Sequence, residues 1–270
     1  MNKSVFFIAA ILAASCFVGC SSEAGNSTQQ YVCPPCNSDC DKLLFKAAGK
    51  CPHCGMALEL QDKNQKDTLK NVAIFVFDGV EVLDFGGPSE VFASAEGFRV
   101  FTVAASKNPI ICQGFIKIQP EYDLHDCPPP DIIVIPGGNM SAPLENSKVI
   151  EWVKTKAPHA EVVLSVCTGA FVLEKAGLLE GKKATTFHSA IEELRKIATK
   201  TEVVDHVRWV DNGKIITTAG VSAGIDGSLR VVERLIGREK ALSTARYMEY
   251  DKWNPNEGLI VSPKENELKQ

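Results

Sequence analysis

A cysteine between an apolar run and a helix-like run is well placed for covalent chemistry. Cys167 follows the β-branched run at 161–164 and precedes a helix-like stretch that stops at Gly177. A strand that turns sharply into a helix exposes its corner residue at the carboxyl edge of a sheet, in the geometry of a nucleophile elbow. The N–H groups of the helix's first turn would favour a thiolate there. A small apolar cysteine packed at a strand end is the alternative.

An aspartate after the first predicted strand of the main domain is the second chemical candidate. Asp84 follows the apolar run at 71–77, and a helix is predicted to begin near Pro88. This places Asp84 at the same sheet edge as Cys167, where a carboxylic acid can exchange protons with a substrate. A carboxylate beside a thiolate is a like-charge pair, which predicts a raised pKa for Asp84. Capping of the Pro88 helix is the alternative role.

Two Cys-x-x-Cys pairs near the start of the chain predict a separate metal site. The four sulfurs belong to Cys33, Cys36, Cys51 and Cys54. Cys40 and His53 are further candidate ligands. Two such pairs can bring four sulfurs into a tetrahedron. Zinc is the metal that most often occupies such a site, and another soft divalent metal is the alternative. Disulfide bonding is the alternative outside the cytoplasm.

Composition predicts one main domain with a small cysteine-rich module. The 270 residues are 45% hydrophobic and 23% charged, which suffices for one α/β domain with appendages. The net charge of -4 gives no indication of a nucleic-acid partner. Seven of the ten cysteines lie before residue 55. The predicted divisions are a signal at 1–19, a tether at 20–30, the metal module at 31–60, a linker at 61–70, the main domain at 71–257 and a tail at 258–270.

Alternating apolar and helix-like runs in the main domain predict an α/β fold. The runs at 71–77, 99–105 and 131–135 are typical of parallel strands that are buried on both faces. The Asn-Gly pair at 212–213 predicts a hairpin, and a long helix is predicted from Ala223. Together they predict a doubly wound, flavodoxin-like, mostly parallel sheet with sites at the carboxyl ends of its strands.

The first twenty residues predict export and a lipid anchor. Lys3 precedes an apolar run that is too short to favour a permanent membrane span. The run closes with Val18-Gly19-Cys20, which resembles a bacterial lipoprotein lipobox. This resemblance implies lipidation of Cys20 and a protein anchored to a membrane of the bacterial cell envelope. An ordinary cleaved signal with a chance cysteine is the alternative.

Four segments of the main domain resemble the ThiJ/PfpI superfamily, which shares the class I glutamine amidotransferase-like fold. They are FDGVEVLDFGGPSEVF, PPPDIIVIPGG, SVCTGAFVLEKAGLLEGKKATTFH and TAGVSAGIDGSLRVVERLIG. The later ARYMEYDKWNPNEG is similar to the ending of the isonitrile hydratase branch. The module at 31–60 resembles a short heavy-metal-binding domain attached to some bacterial membrane and exported proteins.

The superfamily resemblance implies roles for particular residues. Cys167 takes the nucleophile position, and Asp84 takes the acidic position that faces it. The N–H groups of Gly138 and Thr168 would form an oxyanion hole, with Gly137 permitting the close turn.

One position departs from the superfamily pattern. Many relatives have a histidine directly after the Thr-Thr pair, whereas this chain has Phe187 there, followed by His188. His188 is therefore a further candidate outside the usual position.

The resemblance also implies an activity. It indicates a cysteine-dependent lyase or hydrolase that acts on a small electrophile, nearest to the hydration of an isonitrile to an N-substituted formamide. It further implies a homodimer and no cofactor at the cysteine site. Two alternatives stay open: a redox- or metal-stress protein with Cys167 as a sensor thiol, and a non-catalytic ligand-binding domain.

Overall fold

The chain forms two compact units. The computed structural model describes residues 30–33, 40, 43–60, 69–251 and 253–262. The predicted signal with Cys20, the candidate ligand Cys36, most of the predicted linker and the end of the tail lie outside these residues. The units divide as Met1–Lys66 and Asp67–Gln270. Within the described ranges, no helix has both the length and the apolar character needed to cross a bilayer.

The N-terminal unit contains a small antiparallel sheet. Its strands are β1 (Tyr31–Val32), β2 (Leu44–Phe45) and β3 (Glu59–Leu60), in the order β2-β1-β3. The buried apolar side chains that are described in this unit are those of Cys33, Cys40 and Cys51. The centre of the unit is therefore made largely of cysteine.

The second unit is organised around a parallel sheet. Its strands are β4 (Lys70–Phe75), β5 (Phe98–Ala104), β6 (Ile110–Cys112), β7 (Ile116–Ile118), β8 (Tyr122–Asp123), β9 (Ile132–Ile135), β10 (Val162–Ser165), β11 (Lys183–Ala184), β12 (Glu202–Val203), β13 (Trp209–Asp211), β14 (Ile215–Thr218) and β15 (Leu259–Ile260). Eight of them form one sheet in the order β15-β13-β14-β10-β9-β4-β5-β8. Every neighbouring pair in it is parallel except β13 and β14. The prediction of an α/β fold with a largely parallel sheet is confirmed.

The described residues of the second unit form seven α-helices, six of which pack in two groups. They are α1 (Val82–Ser94), α2 (Ser141–Glu145), α3 (Ser147–Lys156), α4 (Ala170–Lys175), α5 (Ile191–Ile197), α6 (Ala223–Ile236) and α7 (Arg238–Tyr247). Helices α1, α6 and α7 contact one another, and α2, α3 and α4 form a second contacting group. Strands β9 and β10 are buried at every position, which is the pattern of strands covered on both faces.

Helix α1 begins at Val82, six residues before the predicted start at Pro88. Proline is common in the first turn of a helix, which is why the sequence indicated a start there. Instead Pro88 is buried inside α1, and its ring lies within 3.5 Å of the position that a Cβ on Gly224 of α6 would take. Packing against α6 thus holds a proline within the helix. As a consequence, Asp84 lies in the first turn of α1 and not in the loop before it.

Candidate active site and cysteine cluster

Cys167 occupies a sharp corner between β10 and α4. The strand ends at Ser165, and a 3-10 turn over Cys167–Gly169 leads into the helix. The backbone φ of Cys167 is 57°, a left-handed conformation that is uncommon outside glycine. A Cβ on Gly169 would lie 2.0 Å from the carbonyl oxygen of Ile135 in β9. The absence of a side chain at residue 169 therefore allows the turn to pack directly on the neighbouring strand.

The backbone of Cys167 is fixed on both sides. Its N–H donates to the carbonyl oxygen of Ala219 at 3.2 Å. Its carbonyl oxygen accepts a hydrogen bond from the Thr186 hydroxyl at 2.7 Å. The residue is only 6% exposed. Access to the sulfur is consequently limited to a small or slender reactant.

Asp84 faces the cysteine from the first turn of α1. Its side chain is 0% exposed. Oδ2 accepts the Gly137 N–H and Oδ1 accepts the Val221 N–H, each at 3.0 Å. The Cys167 thiol and this carboxylate lie close enough for each to shift the pKa of the other. The structure therefore brings Asp84 and Cys167 together. The sequence predicted this, because it placed both residues at the same edge of the sheet.

Burial dominates the proton affinities of this pair. It raises the pKa of Asp84 to about 6, although hydrogen bonds from the Gly137 N–H, the Cys167 thiol and the Val221 N–H lower it. Burial and, second, the Asp84 charge raise the pKa of Cys167 to about 12. At neutral pH the pair is thus a thiol beside a carboxylate. The Thr168 N–H in the first turn after the strand lowers the pKa of Cys167, as the predicted preference for a thiolate requires, but burial is the larger effect.

Thr168 and two glycines complete the surroundings of the sulfur. The backbone and side chain of Thr168 lower the pKa of Cys167, and the Thr168 hydroxyl donates to the Gly138 carbonyl oxygen at 3.4 Å. The Gly138 N–H donates to Thr168 Oγ1 at 3.1 Å. To serve in the predicted oxyanion hole, this N–H would have to exchange Thr168 for the substrate oxygen. A Cβ on Gly137 would lie 2.6 Å from Thr168 Oγ1 and 2.8 Å from Asp84 Oδ2. Gly137 therefore permits the close packing around the pair.

His188 lies apart from the thiol–carboxylate contact. Its ring is exposed and packs on Phe187, with the ring centroids 4.3 Å apart. It lines a cavity of about 360 Å³ together with Glu192 and Arg208. Phe187 packs against Gly220, where a Cβ would lie 2.3 Å from the ring. Asp84, and not His188, is the titratable side chain that contacts Cys167.

Val221 is a site residue that sequence reasoning missed. It contributes only its backbone N–H, in a residue whose φ is 54°. Side-chain chemistry gives no signal for such a role. The surrounding TAGVSAG segment was noted only for its resemblance to the superfamily.

Four cysteines of the N-terminal unit form a group that could hold a metal ion. They are Cys33, Cys40, Cys51 and Cys54, whose sulfurs all lie within 4.8 Å of one another. Burial raises the pKa of Cys51, but hydrogen bonds from the Cys54 and His53 backbone and from the Cys54 and Cys33 side chains lower it to about 6. His53 is exposed and not a member of the group. Cys40, a further candidate ligand in the sequence, belongs to this group, whereas Cys36 lies outside the described residues and its ligand role stays a prediction.

Comparison with known proteins places the second unit among proteins of one family. The model of the DJ-1/PfpI family matches residues 70–234. Isonitrile hydratase from Pseudomonas putida is 34% identical over 183 residues, covering 66% of this chain and 78% of the hydratase. Glutathione-independent glyoxalase DJR-1.2 from Caenorhabditis elegans is 29% identical over 150 residues, covering 54% of this chain and 78% of that protein. The crystal structure of a ThiJ/PfpI family protein from Pseudomonas syringae matches with a TM-score of 0.64 and 29% identity, covering 69% of this chain and 77% of that one.

Proposed function

Since this chain belongs to the DJ-1/PfpI family, we propose that Cys167 and Asp84 are the catalytic pair of a cysteine-dependent enzyme. The observation that carries the proposal is the interaction of the Cys167 thiol with a fully buried carboxylate. Both oxygens of that carboxylate are held by backbone N–H groups. A carboxylate positioned in this way can take the thiol proton during attack and return it later. In this role the corner at Cys167 is a nucleophile elbow.

We propose a small electrophile of the isonitrile type as the substrate. The sulfur belongs to a residue that is 6% exposed, and the terminal carbon of an isonitrile is slender enough to reach it. That carbon must gain both a nucleophile and a proton, and a thiol beside a carboxylate supplies one of each. The 34% identity with isonitrile hydratase supports this choice.

The proposed reaction passes through a covalent thioimidate. Cys167 Sγ bonds to the isonitrile carbon while its proton moves to Asp84, and Asp84 then donates that proton to the same carbon. The Thr168 N–H and hydroxyl stabilise the negative charge that develops on the sulfur during the transfer. Asp84, again a carboxylate, next takes a proton from the attacking water. Asp84 passes that proton to the imine nitrogen, and the tetrahedral adduct then collapses: the C=O bond forms, the C–S bond breaks, the hydroxyl proton returns to the sulfur and an N-substituted formamide leaves.

Turnover of simple alkyl isonitriles tests this function. The purified protein is incubated with the isonitrile, and formamide is measured by chromatography. Cys167→Ala is expected to abolish turnover, and Asp84→Asn to come close to doing so. Cys127→Ala is the matched control, since Cys127 is also buried but belongs to neither the pair nor its contacts. Absence of formamide together with rapid peroxide oxidation of Cys167 would favour the sensor function instead.

For the N-terminal unit we propose binding of zinc or another soft divalent metal. The donor set supports it, because four cysteine sulfurs converge within 4.8 Å and thiolates select soft or borderline ions. The metal would supply structural cross-linking of the unit, held by the cysteines alone. The reaction proposed for Cys167 needs no metal from this group.

A further inference from the structure

We propose that Arg208 is a positioning residue for the Cys167–Asp84 pair. It acts through residues 219–222, the linking segment, which joins β14 to α6. The inference rests on the catalytic role proposed above for the pair. It adds a residue that acts on the pair through the backbone of this segment.

The linking segment contacts both members of the pair. The carbonyl oxygen of Ala219 accepts the Cys167 N–H at 3.2 Å. Two residues later, the Val221 N–H donates to Asp84 Oδ1 at 3.0 Å. One short stretch of backbone therefore helps to place the nucleophile and the carboxylate relative to each other, and a shift of this stretch would displace both.

The conformation of the linking segment is strained. Val221 has a φ of 54°, in the left-handed region that a β-branched residue rarely adopts. Such a conformation costs free energy and persists only where the surrounding structure fixes it. The segment therefore needs supports outside itself to keep the Val221 N–H directed at Asp84.

Arg208 supports the linking segment at both of its ends. Its carbonyl oxygen accepts the Ala219 N–H at 2.9 Å, and its Nη2 donates to Ser222 Oγ at 3.1 Å. Between these ends, the Phe187 ring packs against Gly220. Ser222 is the N-cap residue of α6, but its hydroxyl makes no capping hydrogen bond to this helix, all of whose residues are described. The bond from Arg208 is therefore the contact that ties the Ser222 side chain down.

A buried carboxylate anchors the guanidinium group of Arg208. Asp226, in the first turn of α6, is 4% exposed. Its Oδ2 accepts hydrogen bonds from Arg208 Nε, at 2.8 Å, and from Arg208 Nη2, and its Oδ1 accepts one from the Tyr250 hydroxyl at 3.1 Å. Charge-assisted bonds from a planar guanidinium are strong and directional. The nitrogen that reaches Ser222 therefore belongs to a group of fixed orientation, which a lysine ammonium would not reproduce.

Two variants of the full chain test whether Arg208 positions the pair. Arg208→Lys keeps a positive charge beside Asp226 but loses the planar fork, and Ser222→Ala removes the acceptor while it keeps the ion pair. The titration of Asp84 is followed by NMR of aspartate labelled with carbon-13 at the carboxyl group, and Asp84→Asn identifies the signal. Because the Val221 N–H lowers the pKa of Asp84, both variants are expected to raise this pKa by about 0.5–1 pH unit. Both should also reduce kcat/KM for an alkyl isonitrile by about tenfold or more, mainly through kcat.

Arg230→Lys is the matched control for a loss of stability. Arg230 also pairs with a buried aspartate, Asp211, at 3.0 Å. It lies eight residues beyond the linking segment, about 12 Å along α6. Its replacement is expected to lower the free energy of unfolding, as Arg208→Lys does, but to leave the titration of Asp84 and the turnover of isonitrile unchanged.

The NMR titration separates this inference from the proposed reaction. If Arg208→Lys and Ser222→Ala leave the titration of Asp84 unchanged, the positioning role is wrong, whatever they do to stability. If Arg208→Lys fails to fold, Ser222→Ala alone decides, because it keeps the buried ion pair. If the wild-type protein forms no formamide, the proposed catalytic function fails, and the titration still decides whether Arg208 positions Asp84.

Discussion

At the scale of single residues, the proton affinities of Cys167 and Asp84 depend on each other. The Asp84 charge is a principal reason, after burial, for the high pKa of the thiol. When Asp84 takes up the thiol proton, its negative charge disappears. The thiolate that forms is therefore not repelled by a neighbouring carboxylate. The same burial that suppresses a resting thiolate therefore couples its formation to the acid beside it. Such coupling suits a nucleophile that becomes reactive only when a substrate is in contact.

The pH dependence of thiol reactivity should follow Asp84. Its raised pKa of about 6 means that the carboxylate needed to accept the thiol proton is lost as the pH falls through that value. We expect kcat/KM for an alkyl isonitrile to rise between about pH 5 and pH 7 and then to level off. Asp84→Asn should remove this step from the curve, and an unchanged step in that variant would contradict the assignment.

Gly137 offers a steric test of the pair's surroundings. A methyl group there would lie 2.6 Å from Thr168 Oγ1 and 2.8 Å from Asp84 Oδ2. We expect Gly137→Ala to destabilise the fold by about 1–3 kcal/mol and to lower turnover by at least about tenfold, because the pair must move apart. Urea unfolding and steady-state kinetics measure the two effects. The control is Gly86→Ala in α1, where a Cβ meets nothing within 4 Å and stability should be retained or rise by about 0.5–1 kcal/mol.

At the scale of elements, a buried carboxylate joins β13 to α6. Asp211 closes the strand and is 2% exposed. Its oxygens accept hydrogen bonds from Arg230 Nε at 3.0 Å and from Arg234 Nη1 at 3.1 Å, both on α6. The Gly213 N–H in the turn after β13 adds a third bond at 2.8 Å. The strand, its turn and the helix thus share one charge centre.

Removal of this carboxylate should loosen the packing between strand and helix. Asp211→Ala would remove the buried carboxylate that two partly buried guanidinium groups share, leaving Arg230 with its ion pair to Glu233 and Arg234 with its bond to the Gly213 carbonyl oxygen. We expect a loss of about 3 kcal/mol in the free energy of unfolding. The matched control is Glu180→Ala, whose ion pair with Lys200 is 61% and 70% exposed, and it should change stability by less than about 1 kcal/mol. Urea unfolding at pH 7 compares them. Equal effects of the two substitutions would argue against a special role for the buried group.

At the scale of the whole molecule, the two candidate sites lie in different units. The division falls at Lys66 and Asp67, inside the predicted linker. The family match at 70–234 lies entirely within the second unit, and the four sulfurs lie within the first. The homodimer and the lipid anchor stay predictions of the sequence.

We propose that Cys20 anchors this two-unit chain to a membrane. The motivation is the Val18-Gly19-Cys20-Ser21 junction after an apolar run, since an acyl chain attached there would retain the protein at the lipid surface. In cell fractionation, Cys20→Ala should move the protein out of the membrane fraction, whereas Cys36→Ala, a cysteine outside the junction, should not. Retention of the Cys20→Ala protein in membranes would exclude lipid attachment at this residue as the anchor.

The sequence by itself determined the features that depend on neighbouring residues. The continuous apolar runs of β9 and β10 indicated buried parallel strands, and Asn212-Gly213 indicated the hairpin that forms, with Gly213 at a φ of +84°. The position of Cys167 between a strand and a helix was likewise readable, because apolar periodicity and turn residues are local signals.

Only the tertiary structure decided which groups contact one another in the two candidate sites and how burial shifts their pKa values. Asp84 is held by the N–H of Val221, which lies 137 residues away, and no local pattern encodes that contact. The protonated state of Cys167 depends on desolvation by the assembled core, which outweighed the helix effect read from the sequence. Cys40 entered the sulfur group although it belongs to neither Cys-x-x-Cys pair. Proximity in space and removal from water arise only when distant segments pack together.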